Sequence, residues 1–166
     1  MAEKTVQSIL VVDDDAVSRK KLCRIFQRLG IEHITEAQQG DEALAMLKEH
    51  PVDLVMADWH MPGLTGLELL KAIRADESLR ETYVFLVTVE GRQAQIVAAA
   101  QAGATGYIIK PFSQESIKQK LGNFIPSDMQ PVESTPASQG DAGQTTDASG
   151  QQEQPASQTA EAAPVG

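Results

Sequence analysis

Five side chains in this sequence could do chemistry if the fold brought them together. Asp13 and Asp14 end the run "ILVVDD", and Asp58 ends "VDLVMAD". Thr88 lies at the end of "YVFLVTV", and Lys110 ends "GYIIK". Each stands where an apolar, strand-like run meets a loop. Three carboxylates in one cleft repel one another: at ~4 Å and an effective dielectric near 20, each pair costs about 4 kcal/mol before relaxation. A raised pKa or a bound cation relieves that repulsion. The all-oxygen set suits Mg²⁺, which takes a few carboxylates, keeps waters and recruits phosphate oxygens. No cluster of histidine or cysteine suggests zinc. Lys110 adds a second positive charge and Thr88 a hydroxyl donor. Cation, ammonium and hydroxyl together match the three equatorial oxygens of a phosphoryl group in transfer. A carboxylate can be the nucleophile, giving an aspartyl phosphate.

The elements that must position these residues alternate regularly. Strands are expected at 8–13, 33–37, 52–58, 83–89 and 106–110. Between them, residues 15–29, 41–49, 65–75 and 92–102 place apolar side chains at helical spacing. Gly30 and Gly103 end two of these helices. Asp15 is expected as an N-cap, and Ser113 caps a last helix with Ile117, Leu121 and Phe124 inward. The order βαβαβαβαβα implies a doubly wound parallel sheet with helices on both faces, because parallel strands need crossovers. In such sheets ligands bind outside the carboxyl ends of the strands. Those ends carry Asp13, Asp14, Asp58, Thr88 and Lys110.

Composition divides the 166-residue chain. Residues 1–125 hold every aromatic, Lys and Arg, enough for one compact core. Residues 126–166 are Pro, Ala, Ser, Thr, Gln and Gly with scattered acids, and are expected to be a disordered acidic tail. The chain carries −9 and the tail acids (Asp128, Glu133, Asp141, Asp147, Glu153 and Glu161) account for −6, leaving −3 on the first 125 residues. That balance argues against non-specific binding to nucleic acid or to an anionic membrane. Cys23 is the single cysteine, so no internal disulfide is possible, and core packing is its expected role. No apolar run approaches the ~20 residues that span a bilayer, and the N-terminus has no apolar signal region. A cytoplasmic location is expected.

The stretches "ILVVDDD", "DLVMADWHMPGLTGLELLKAIR", "FLVTVEG" and "GATGYIIKPF" resemble the receiver domain of two-component response regulators, in particular the single-domain chemotaxis type. The resemblance covers essentially all of residues 8–125. It implies a flavodoxin-like (βα)5 fold with strand order 2-1-3-4-5. It implies that Asp58 accepts a phosphoryl group from the phosphohistidine of a sensor histidine kinase. Asp13 and Asp14 would hold Mg²⁺ together with Asp58 and the main-chain carbonyl of His60. Thr88 would bond a phosphoryl oxygen, Lys110 would pair with it, and Tyr107 would be the aromatic switch that turns inward when Thr88 moves. The Lys110–Pro111 bond would be cis. The positions of His60 and Glu90 would tune dephosphorylation. Trp59 would be either an exposed lid or loop packing, and Met61-Pro62-Gly63 and Gly66 loop geometry. The output would go through a partner protein, such as the flagellar motor switch or another regulator, and not through DNA. The protein would be a regulator with autophosphatase activity at most, not a dedicated enzyme.

Two other readings use the same residues. "ILVVDDDAV" also fits the haloacid dehalogenase phosphatase motif, with Asp13 as nucleophile, Asp15 as general acid, and Thr88 and Lys110 in supporting roles. That reading leaves "DWHMPG" without a task and finds no later acidic pair for its metal. The other is a receiver-like adaptor that is never phosphorylated.

Overall fold

A computed structural model describes residues 5–125. The segment 126–166, read above as a disordered tail, lies outside the described residues. Strands and helices alternate as β1 (Ser8–Val12), α1 (Ala16–Arg28), β2 (His33–Ala37), α2 (Gly40–Glu49), β3 (Leu54–Asp58), α3 (Gly66–Ala75), β4 (Tyr83–Thr88), α4 (Gln93–Gln101), β5 (Gly106–Ile109) and α5 (Gln114–Leu121). All neighbouring strands pair in parallel, in the order β2-β1-β3-β4-β5. The alternation is the one the sequence pattern predicts, and the strand order is the flavodoxin-like one that the family resemblance implies.

The continuous apolar character of the central strands follows from helices on both faces. Side chains alternate across a strand, so the central strands β1, β3 and β4 feed two cores. Ile9, Val11, Leu54, Met56, Phe85 and Val87 pack on one side with Leu22 and Phe26 of α1 and Ile117 of α5. Leu10, Val12, Val55, Ala57, Val84 and Leu86 pack on the other with Leu47 of α2 and Leu69, Leu70 and Ile73 of α3. Cys23 is buried in the first core, where desolvation pushes its thiol up to about 11.

Local signals set the helix ends. The Asp15 carboxylate accepts the Val17 and Ser18 amides and starts α1. Thr65 and Glu68 form a reciprocal capping box at α3, and Ser113 and Ser116 form another at α5. Such caps contribute roughly 0.5–2 kcal/mol each. Gly30, with φ 84°, turns the chain out of α1 where a side chain would be strained.

Two expectations need correction. The third strand begins at Leu54, not Val52. Asp53 instead turns its carboxylate on the start of β1, accepting the Gln7 and Ser8 amides and the Ser8 hydroxyl. The last helix ends at Leu121, so Phe124 is not on its inward face. The Phe124 ring packs instead against Tyr83 at 4.6 Å between centroids, and edge-on to Phe85 at 6.0 Å.

Leu70 is fully buried beneath α3 and Val17 is 77% exposed on α1. Leu70→Ala is expected to lower unfolding free energy by about 2–5 kcal/mol. Val17→Ala is expected to change it by less than about 0.5 kcal/mol. Urea unfolding followed by circular dichroism measures both.

Candidate functional site

Backbone pairing runs past the strand ends and carries the reactive side chains with it. The Asp13 amide donates to the Ala37 carbonyl at 3.2 Å, beyond the last residue of β1. The Trp59 amide donates to the Val87 carbonyl at 2.7 Å, which clamps Asp58 at the end of β3. The Lys110 amide donates to the Thr88 carbonyl at 2.7 Å. Three residues far apart in sequence are thereby held along one edge by the sheet itself.

Asp13 is wholly buried and Asp58 is 7% exposed. One Asp13 oxygen accepts the Asp15 amide at 2.8 Å, and the other accepts Lys110 Nζ at 3.2 Å. The same ammonium lies 3.3 Å from Asp58 Oδ1. Asp14 is exposed, and one carboxylate oxygen from each of Asp13, Asp14 and Asp58 lies within 4.8 Å of the others. Burial, reinforced by the charge of Asp13, pushes the Asp58 carboxyl up to about 6 against the opposing pull of Lys110. Burial alone would lower the Lys110 pKa, but Asp58 and Asp13 together outweigh it and raise it. The oxygen-only donor set, its closeness and its uncompensated repulsion fit a small hard dication.

The remaining candidates sit around this cluster. Thr88 is buried, but its hydroxyl is engaged on the α4 side and not with the carboxylates: it accepts the Glu90 amide at 3.1 Å and contacts Gln95 Oε1 at 3.4 Å. Tyr107 is half-buried and lines a small cleft with Trp59, Thr88, Gln95, Ile96 and Ala99. Lys120 Nζ lies 4.9 Å from its ring centroid. The His60 side chain is exposed. Trp59 is half-buried, packs against the second core and also lines the cleft beside Thr88. The Lys110–Pro111 peptide is cis.

Four residues that the sequence did not single out for the site shape it. Arg19 of α1 is buried, donates to the Asp13 carbonyl at 2.8 Å and pairs with Glu36 at 2.8 Å. An arginine among the apolar positions of an amphipathic helix was the available signal. Lys21 Nζ donates to the Phe112 carbonyl at 2.9 Å, just past Pro111. Gln95 reaches Thr88 from α4, and nothing in the sequence marks it. Phe112 is buried against α1, and its ring carries the Lys21 ammonium at 4.8 Å. Two residues assigned to loop geometry do more. Met61 is buried in the second core, and a Cβ on Gly66 would stand 2.4 Å from the Asp58 carbonyl oxygen. Gly66 is thus required by the close approach of α3 to the backbone of Asp58.

A parallel (βα)5 sheet with an acidic cluster at its carboxyl edge is the architecture of a receiver domain, and the chain belongs to the response regulator receiver domain family, which it matches over residues 9–122. It is 46% identical over 117 residues to the chemotaxis protein CheY-3 of Vibrio cholerae, covering 70% of this chain and 90% of that one. It is 43% identical over 113 residues to the chemotaxis protein CheY of Pseudomonas aeruginosa, covering 68% and 91%. Among solved structures, the chemotaxis response regulator CheY4 of Vibrio cholerae matches with a TM-score of 0.67 at 29% identity, over 73% of this chain and 100% of that one. A BeF3-activated receiver domain of DrrB matches with a TM-score of 0.64 at 28% identity, over 72% and 97%. Receiver domains bind Mg²⁺ at an acidic aspartate cluster, and here the available cluster is Asp13, Asp14 and Asp58. No helix among the described residues is long and apolar enough to cross a membrane.

The raised Asp58 pKa has a sign that can be tested. The native state holds this proton more tightly than the unfolded chain does. Ionising Asp58 therefore removes stability as pH rises from about 3.8 to about 6. Without metal at pH 7.5, Asp58→Asn should be more stable than the wild type by about 1–3 kcal/mol. The gap should shrink as pH falls through about 3.8 and close near pH 3, where Asp58 is neutral in both states. Urea midpoints in chelator across this range measure it. Wild type equal to or above the variant at pH 7.5 would contradict the account.

Proposed function

We propose that Asp58 is the phosphoacceptor of a signalling switch, loaded by the phosphohistidine of a sensor histidine kinase. The observation that carries this reading is the Lys110 ammonium, 3.2 Å from Asp13 and 3.3 Å from Asp58, beside three converging carboxylates. Asp58 Oδ attacks phosphorus, the P–O bond forms, and the P–N bond to the donor imidazole breaks. Lys110 lies where it can pair with the transferred oxygens, and Thr88 can bond another once its hydroxyl turns. Asp13, Asp14, Asp58 and the His60 main-chain carbonyl would hold Mg²⁺, which supplies positive charge against the phosphoryl oxygens. Water attack on phosphorus, with the P–O bond to Asp58 breaking, returns the carboxylate and releases inorganic phosphate. The protein is therefore a regulator with an intrinsic autophosphatase step, not a dedicated enzyme. His60 and Glu90, both beside the site, would tune that step.

Phosphorylation adds charge and acceptors next to Lys110 and Thr88. It biases the α4–β5 face, where Val97 and Ile109 are already exposed and Tyr107 is half-buried as the aromatic switch. A partner reads that face in the cytoplasm. Likeness to chemotaxis regulators supports a chemotaxis kinase upstream and a flagellar motor switch or another regulator downstream. Residues 1–125 form the receiver, and 126–166 are a tail not needed for phosphoryl uptake.

The phosphatase alternative is poorly supported by the geometry. Asp13 is 0% exposed, with its oxygens given to Asp15 and Lys110. Asp15 is committed as a helix cap, and bonds from Ser18 hold its carboxyl below the usual range, which does not suit a general acid. An unphosphorylated adaptor would not need Lys110 held between two buried carboxylates.

Intact mass after incubation with acetyl phosphate tests the reading. One phosphoryl group should be gained with Mg²⁺, not in chelator, and not by Asp58→Asn. A gain that survives Asp58→Asn, or no gain, overturns it. A 1–125 chain should take up phosphoryl as the full chain does; loss of uptake by a folded 1–125 chain would show that the tail takes part.

A further inference from the structure

The Thr88 hydroxyl already has two partners, and neither belongs to the carboxylate cluster. It accepts the Glu90 amide N–H at 3.1 Å, which leaves its single proton directed to Gln95 Oε1 at 3.4 Å. Gln95 is half-buried in the first turn of α4, and its Nε2 donates to Glu90 Oε2 at 3.5 Å. The opposite amide orientation would set Oε1 against the Glu90 carboxylate, so Glu90 dictates which end of Gln95 meets Thr88. Glu90 is itself held by Arg92 Nε at 3.1 Å. A continuous set of contacts thus joins the end of β4, the charged β4–α4 loop and the first turn of α4.

We propose that Gln95 is a positioning residue that holds the Thr88 hydroxyl toward α4 in the free protein and must release it before Thr88 can bond a phosphoryl oxygen on Asp58. A hydroxyl has one proton to give. While Gln95 receives it, a group on Asp58 does not. The contacts are long and therefore weak, which suits a latch: a bond strong enough to resist the phosphoryl group would disable the switch. Its release frees the first turn of α4, where Arg92, the N-cap, makes no side-chain cap bond and only Ala99 of the helix is buried. The functional consequence rests on the phosphoacceptor reading above; the latch in the free protein does not.

Two readouts on the full chain test this. The Thr88 methyl resonance reports its side-chain rotamer. Emission of Trp59, the single tryptophan, reports binding of beryllium fluoride with Mg²⁺ beside it. Gln95→Leu should move the free-state Thr88 methyl signal toward its position in the fluoroberyllate complex, and tighten fluoroberyllate binding about two- to tenfold. Gln95→Glu combined with Glu90→Gln keeps an acceptor for Thr88 and a donor–acceptor pair between positions 95 and 90, and should leave the Thr88 signal near the wild-type position. In a Thr88→Val background, Gln95→Leu should no longer tighten binding. An unmoved Thr88 signal in Gln95→Leu overturns the proposal, as does equal tightening in the Thr88→Val background. If Gln95→Leu loses its dispersed amide spectrum, Gln95→Asn, one methylene too short to reach, is judged by the same criteria. Failure of fluoroberyllate to bind the wild type would count against the phosphoacceptor reading, while the free-state Thr88 signal would still decide the latch.

Discussion

The rest of the site depends on one ammonium shared by two buried carboxylates. Lys110 Nζ lies 3.2 Å from Asp13 and 3.3 Å from Asp58. Two carboxylates taken out of water at this spacing lose solvation and repel each other. One lysine offsets part of that and leaves the rest, which is why Asp58 remains hard to ionise while the Lys110 pKa is raised. A site left with excess negative charge has an affinity for positive charge built in. Filling it with a second lysine would satisfy it permanently and abolish any response to a cation or a phosphoryl group.

Such a cluster survives only if the backbone beneath it cannot relax. Carboxylates on a mobile loop would move apart. Here the ladder bonds of Asp13 to Ala37, Trp59 to Val87 and Lys110 to Thr88 continue the parallel pairing beyond the strands. Arg19 holds the Asp13 carbonyl from the side of α1, and Gly66 lets α3 approach the Asp58 backbone. The two apolar cores above and below the sheet supply the rigidity. Burial of the core thus maintains a polar arrangement that would not hold together alone.

The parts legible in the sequence were those encoded by local pattern. Strand-end positions of Asp13, Asp58, Thr88 and Lys110 follow from apolar runs and their breaks, and alternation of the two element types implies a parallel sheet. Strand order was not legible from pattern, because nothing local says that β1 lies between β2 and β3; it came with the family resemblance. Gln95 was missed for a different reason: it acts across a loop, and a polar residue on a helix looks like any solvated one until its neighbour is known. Arg19 carried a signal, its place in line with Leu22 and Phe26 on the apolar face of α1, but its partners Asp13 and Glu36 lie outside that helix. Gly66 looked like a turn residue, since a glycine required by a backbone contact has the same letter as one required by φ. Phe124 was misplaced because a helical spacing of apolar residues continued past the point where the helix stops.

A switch also needs a resting state with bonds of its own. If Thr88 and the α4 turn were simply unengaged before phosphorylation, both arrangements would be populated together and the signal would be lost in the background. Contacts such as Thr88–Gln95 and Gln95–Glu90, each weak, bias the free protein without locking it. A bias of a few kcal/mol is the range that one new charged group can reverse. The packing around α4 fits that requirement. It has one buried residue, Ala99, while α3 beside the same core buries Gly66, Leu69, Leu70 and Ile73. The firmly packed helix keeps Asp58 in place, and the lightly packed one has few buried contacts to lose.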